Sequence, residues 1–184
     1  LETTGITALG VGVNVFQWAT SNGVCPPTTS TMSITRYAPP TPANAGINQT
    51  VCTATATMAA NTTSAGIGTW SLLSGAGTIT SPNLNTSGIT GLGIGVNVFQ
   101  WQTSNGVCAV SNSTMSITRD APPTTASAGP SQSVCIATAT MAANTTSVGT
   151  GTWSLLSGAG TITSPNLNTS GITLLGIGVN VFQW

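Results

Sequence analysis

The stretch Val96-Asn97-Val98-Phe99-Gln100-Trp101 alternates with a period of two, placing Asn97, Phe99 and Trp101 on one face and Val96, Val98 and Gln100 on the other. β-branched and aromatic residues in strict alternation predict a half-buried strand, with Phe99 and Trp101 turned to a core. The same six residues recur at Val13–Trp18 and at Val179–Trp184, so Trp18, Trp101 and Trp184 stand 83 residues apart. Working outward, the pairs Cys25/Cys108, Cys52/Cys135, Trp70/Trp153 and Arg36/Arg119 keep the same spacing. Residues 1–101 align on 84–184 without a gap, and 82 of the 101 positions match. Tandem duplication is the only account of such agreement.

A period of 83 residues is longer than most solenoid repeats and suits a small independent domain. Its joints fall at the Pro-rich segments Ala38-Pro39-Pro40-Thr41-Pro42 and Ala121-Pro122-Pro123-Thr124-Thr125, which favour an extended, semi-rigid form. The expected divisions are the back part of one repeat (1–42), a complete repeat (43–125) and the front part of the next (126–184). The chain opens without an initiator Met or a signal peptide and stops in mid-pattern at Trp184. These residues therefore read as the interior of a longer polypeptide.

Within the complete repeat, strand and turn signals alternate at the short spacing of a β-sandwich. Candidate strands are Gln49–Val51, then Thr53–Met58 with Ala54, Ala56 and Met58 on one face, and Gly68–Leu73 with Trp70 and Leu72 together. Thr78–Thr80, Ser87–Thr90, Val96–Trp101 and Thr114–Thr118 follow. Asn105-Gly106 supplies a hairpin turn, because such a pair tolerates positive φ. No stretch has helical periodicity, so the expected class is all-β with no significant helix. Trp70, Phe99, Trp101, Trp153, Phe182 and Trp184 are the expected core aromatics. A sugar-stacking platform built from Trp70, Phe99 and Trp101 is the weaker reading, since the aromatics lie at period two on the strongest strand.

A domain of this size is marginally stable without help, and each repeat carries two cysteines. Pairing Cys52 with Cys108 inside one repeat would add roughly 4 kcal/mol in the chain-entropy model. Cys25 and Cys135 would then pair beyond these 184 residues. Links across the joints, Cys25 to Cys52 and Cys108 to Cys135, are the alternative, and free thiols a third, because connectivity is not readable from spacing. Either pairing implies an oxidising compartment.

Four blocks now stand in order: Ala-Gly-x-x-Gln-Thr/Ser-Val-Cys (45–52 and 128–135), Gly-Thr-Trp-Ser (68–71), Gly-x-Asn-x-Phe-x-Trp (95–101) and Ser-Asn-Gly-Val-Cys (104–108). Together they resemble the PKD-like, immunoglobulin-like tandem repeats of very large secreted Bacteroidetes cell-surface proteins, some of them gliding adhesins. The resemblance implies an Ig-like sandwich of about seven strands, export to the bacterial cell surface, and an adhesive or stalk role. The chain departs from that group at Asn112-Ser113-Thr114, where such repeats usually carry an acidic pair.

Charge is the other deciding feature. Arg36, Arg119, Glu2 and Asp120 are the only charged side chains, and Lys and His are absent, whereas ordinary globular chains are about a quarter charged. General acid–base and nucleophilic catalysis need a base or an activated nucleophile. Glu2 and Asp120 do not recur in the repeat, being replaced by Asn85 and Tyr37. No catalytic residue, cofactor site or metal site is therefore expected, and calcium, which needs several oxygen ligands, has too few acids to hold it. The lack of a basic patch excludes nucleic acid as a partner, and no apolar run reaches the ~20 residues of a membrane-spanning helix. Asn-x-Ser/Thr occurs at Asn48, Asn61, Asn85, Asn112, Asn144 and Asn168, a pattern that composition alone can produce in so Thr-rich a chain.

Soluble domains use charge, Lys above all, to keep sheet edges apart. A chain without that defence is expected to associate with other copies of itself. The expected role is a repeat segment of an extracellular filament, stalk or sheath, with adhesin repeats that bind glycan or another surface ligand as the alternative.

Overall fold

In the computed structural model, residues 5–184 are described and fall into two compact units that divide after Asp120. Every regular element among the described residues is a β-strand, so the all-β, sandwich-like expectation holds.

The first unit opens with a hairpin of β1 (Gly12–Thr20) and β2 (Thr28–Arg36), paired from Gly12↔Arg36 to Thr20↔Thr28. The complete repeat then supplies β3 (Gln49–Val51), β4 (Ala56–Thr57), β5 (Ile67–Ser74), β6 (Thr78–Ile79), β7 (Gly88–Thr90), β8 (Gly95–Ser104) and β9 (Ser111–Arg119). They form a four-stranded sheet in the order β3-β9-β8-β5 and a three-stranded sheet in the order β4-β7-β6. The inner faces meet in one core of Ala45, Met58, Ala60, Trp70, Ile89, Leu92, Phe99, Trp101, Met115 and Ile117. Alternation along β8 drives this arrangement: Asn97, Phe99, Trp101 and Thr103 are buried, and the residues between them are less so.

Two details depart from the period-two expectation. Thr53–Met58 does alternate, with Thr53, Thr55 and Thr57 exposed and Met58 buried, but only Ala56–Thr57 pairs as a strand. Leu72 does not share the burial of Trp70 and remains 36 % exposed. Leu72 stays in register opposite Phe99, and the ladder shifts only beyond it, between Leu72 and Ser74, where the end of β5 is exposed on both faces.

The chain runs into the repeat alongside β9 and leaves from the end of that strand. Ala43 and Ala45 donate their backbone N–H to the hydroxyls of Ser111 and Ser113, both at 3.0 Å. Farther along, β3 pairs with β9 in parallel from Gln49↔Ile117 to Val51↔Arg119. Asp120 N–H then donates to the carbonyl of Val51 at 2.9 Å. The incoming and outgoing chain therefore lie at opposite ends of β9.

The second unit contains β10 (Ala139–Thr140), β11 (Ser154–Ser157), β12 (Thr161–Ile162), β13 (Gly171–Thr173) and β14 (Val181–Gln183). They pair as β11-β14 and β10-β13-β12, repeating β5-β8 and β4-β7-β6. Met141, Ala143, Trp153 and Ile172 are buried, while Phe182 and Trp184 are half-buried against them. Residues 132–134, the counterpart of β3, form no strand, because the ladder that β3 joins in the complete repeat belongs to β9.

Candidate functional site

The four recurring sequence blocks are explained by packing. In Gly-Thr-Trp-Ser, Gly68 lies flat beneath the indole of Trp101, where any Cβ would run into the ring. Trp70 meets that ring at a centroid distance of 5.2 Å, tilted by 48°, a favourable edge-inclined arrangement. Its indole N–H donates to the carbonyl of Asn85 at 3.2 Å. The second unit repeats the geometry between Trp153 and Trp184, at 5.2 Å and 49°, with Gly151 in the place of Gly68. Trp70, Phe99 and Trp101 are buried, so in the complete repeat none presents an open face to a sugar, and Trp153 is buried in the second unit.

In Gly-x-Asn-x-Phe-x-Trp, the Asn97 amide nitrogen donates to the carbonyls of Gly93 (2.9 Å), Gly95 (3.1 Å) and Ile117 (3.2 Å). Its oxygen accepts from Ala76 N–H at 2.8 Å. The side chain is thus saturated, fastening the turn before β8 both to β9 and to the turn after β5. In the first block, Gly46 has φ +84 and sits against the Ala59 carbonyl, where a Cβ would clash. Gln49 donates to the Thr57 carbonyl at 2.9 Å. In Ser-Asn-Gly-Val-Cys, Asn105 donates to the Ala38 carbonyl at 3.0 Å, and Gly106 lies under the ring of Tyr37. This block fastens the Pro-rich joint to the repeat that follows it.

The cysteines correct an expectation. All four are free thiols; Cys25, Cys52 and Cys135 are exposed, and Cys108 is partly covered. Cys108 lies in the loop before Ser111, its thiol 3.4 Å from the Ala38 carbonyl. Cys52 follows Val51, which pairs with Arg119 at the far end of β9. Eight strand steps separate Ser111 from Arg119, about 26 Å at ~3.3 Å per residue. A disulfide needs Cα atoms within roughly 7 Å, so Cys52 and Cys108 do not pair within the repeat. The parallel β3–β9 pairing, which spacing does not reveal, places them at opposite ends.

The charged groups are also dispersed. Arg119 donates to the Leu92 carbonyl at 2.8 Å and Arg36 to the Leu9 carbonyl at 2.6 Å; each guanidinium braces a turn. Glu2 lies outside the described residues. Among the described residues no three His, Cys, Asp or Glu side chains gather as a metal site would require. No helix there is long and apolar enough to cross a membrane. Of the six Asn-x-Ser/Thr positions, Asn61, Asn85, Asn144 and Asn168 commit their amide nitrogens to the carbonyls of Pro42, Ala60, Thr125 and Ala143. Asn48 and Asn112 are exposed and use their side-chain oxygens as acceptors.

What remains as a candidate functional feature is the sheet boundary. The edge strands β3, β5, β4 and β6 contain no charged residue, and exposed apolar side chains, including Ile47, Ile67, Leu73 and Val107, are scattered over the repeat. Compared with known proteins, the chain matches no family model, and no curated protein matches it.

Proposed function

We propose that this chain is a repeat segment of an extracellular, cell-surface filament, stalk or sheath whose copies associate with one another, and that it performs no catalysis. The observation that carries the reading is the uncharged edge on both sheets. Exposed N–H and C=O groups on such edges are templates for pairing with another chain unless charge, Pro or a cover blunts them. Repetition adds to this: a contact made by one repeat recurs every 83 residues, so weak contacts accumulate along aligned arrays. The saturated hydrogen bonding of Asn97 and the buried tryptophans support a scaffold role over a ligand-reading one. The resemblance to PKD-like surface repeats points to the same location and role. Electron microscopy of the assembled cell-surface material tests the reading. Several laterally packed strands are expected, and thin isolated chains would overturn it.

A further inference from the structure

The Pro-rich segment between β2 and the complete repeat is held at both ends by the repeat it enters. Tyr37 comes directly after β2, and its ring lies flat on Gly106, where a Cβ would stand 2.6–2.7 Å from three ring carbons. That face is open to the ring only because Gly106 has no side chain, and its φ of +56 is one that glycine adopts without cost. Asn105, one residue earlier, donates its side-chain amide to the Ala38 carbonyl at 3.0 Å. The Cys108 thiol lies 3.4 Å from the same carbonyl. At the other end, Thr41 uses all its polar groups. Its N–H donates to the Ala65 carbonyl at 3.1 Å, and its hydroxyl accepts from the N–H groups of Ser64 and Ala65 at 2.8 and 2.9 Å. Its carbonyl accepts from the hydroxyl of the buried Thr103. Pro39 and Pro40 span the two anchor points, and having no N–H they leave no donor unpaired.

The Thr41 anchor recurs inside the second unit. Thr124, its counterpart, donates its N–H to the Val148 carbonyl at 3.0 Å, and its hydroxyl accepts from the N–H groups of Ser147 and Val148, both at 2.9 Å. That unit begins at Ala121, the counterpart of Ala38. In both places the Pro-rich segment is therefore built into the repeat it precedes. On the near side of the first joint, β2 is paired as far as Arg36, which stands opposite Gly12. Paired strand ends at Arg36 and docked segment starts at Tyr37, with no residue between them.

We infer that the turn 104–108 is the docking site for the chain entering the repeat, and that Tyr37 on Gly106 is the latch that makes this joint stiff. A Pro-rich stretch with free flanks acts as a spacer. Docked from Tyr37 to Thr41, it is part of the repeat, and bending is confined to the backbone bonds between Arg36 and Tyr37. The strand arriving through Arg36 is then held at a fixed angle to the repeat it enters. The latch depends on the residue at this position. The sequence carries Asp120 at the corresponding place, and an aspartate has no ring to lay over a glycine. The inference concerns a single chain and stands or falls apart from association between copies.

Nuclear magnetic resonance of the 184-residue chain tests docking and stiffness separately. Docking should move the Gly106 α-protons upfield through the Tyr37 ring current, relative to those of Gly23, which faces open space. In the same state a thiol reagent should modify Cys108, partly covered beside the Ala38 carbonyl, several-fold more slowly than the exposed Cys52. Tyr37→Asp should abolish the shift and bring Cys108 up to the rate of Cys52, whereas Tyr37→Phe should keep both as in the parent, since the ring is what covers the glycine. Neither readout depends on the state of the hairpin. Stiffness is read from residual dipolar couplings: in the parent, the amides of β2 and β9 should fit one common alignment, and in Tyr37→Asp the β2 couplings should shrink relative to those of β9. Gly106 α-protons at the position of those of Gly23, or Cys108 as reactive as Cys52 in the parent, would overturn the docking. Couplings unchanged by Tyr37→Asp would overturn the latch.

Discussion

Trp18 and Trp101 end the same stretch of sequence in two parts of the first unit, and their surroundings differ almost completely. Trp101 is 1 % exposed and Trp18 69 %; Met115 is 2 % exposed and Met32, its counterpart, 57 %. Yet β1–β2 and β8–β9 pair in the same register over nine residues, and Asn14 and Asn97 make equivalent bonds. Strand, register and turn are therefore local properties of the hairpin sequence, set by alternation and by one asparagine. Burial comes from elsewhere: Met58, Ala60 and Trp70, which precede β8 in the chain and pack in the same core. Covering a side chain of this size contributes roughly 1.5–3 kcal/mol. Among the described residues the hairpin thus has its hydrogen bonding in place and its inner face exposed.

The largest expected break in this comparison is at the tryptophans. Trp101→Ala should cost about 3–5 kcal/mol in denaturant unfolding of the complete repeat, the range for large aromatic truncations in a core. Trp18→Ala should change it by no more than about 0.5 kcal/mol, as surface substitutions do. Equal effects would mean that Trp18 is covered too. Next comes Gly68→Ala, which forces a methyl group into the buried Trp101 ring and should cost about 3 kcal/mol through overpacking. Gly151→Ala should cost visibly less, because the half-buried Trp184 has room to shift. Asn97→Ala leaves three carbonyls and the Ala76 N–H without their partner and should cost about 2 kcal/mol, against a smaller loss for Asn14→Ala on the exposed hairpin. The smallest effect belongs to the cysteines: four thiols should react with a disulfide reagent under native conditions, and Cys52→Ser should alter stability by less than about 0.5 kcal/mol. A reductant-sensitive unfolding midpoint would contradict the free-thiol arrangement.

Much of this was legible in the residues, for physical reasons that also mark the limits. The alternation of Val96–Trp101 gave both the strand and its inward face, and the 83-residue spacing gave the repeated architecture. The aromatic core followed from the same pattern. Leu72 keeps the face that alternation assigns it, opposite Phe99, but lies at the exposed end of β5, and alternation gives the face of a residue and not how far the core extends along the strand. The Cys52–Cys108 pairing failed for a different reason. Whether two thiols meet depends on which strands are neighbours and in which direction they run, and the β3–β9 pair joins residues 68 positions apart. Gly68 had a visible signal in its recurrence as Gly151, but its role as the floor beneath an indole is a three-dimensional fact.

The parallel run of β3 beside β9 also bears on tension. The incoming chain is bonded along one end of β9, and the outgoing chain leaves from the other beside Val51. A pull on the two termini of the repeat therefore drags these neighbours past each other lengthwise. Their cross-strand bonds are strained in shear, all at once, instead of peeling apart one by one. A repeat wired this way resists stretching through its two terminal strands before any of its core is exposed.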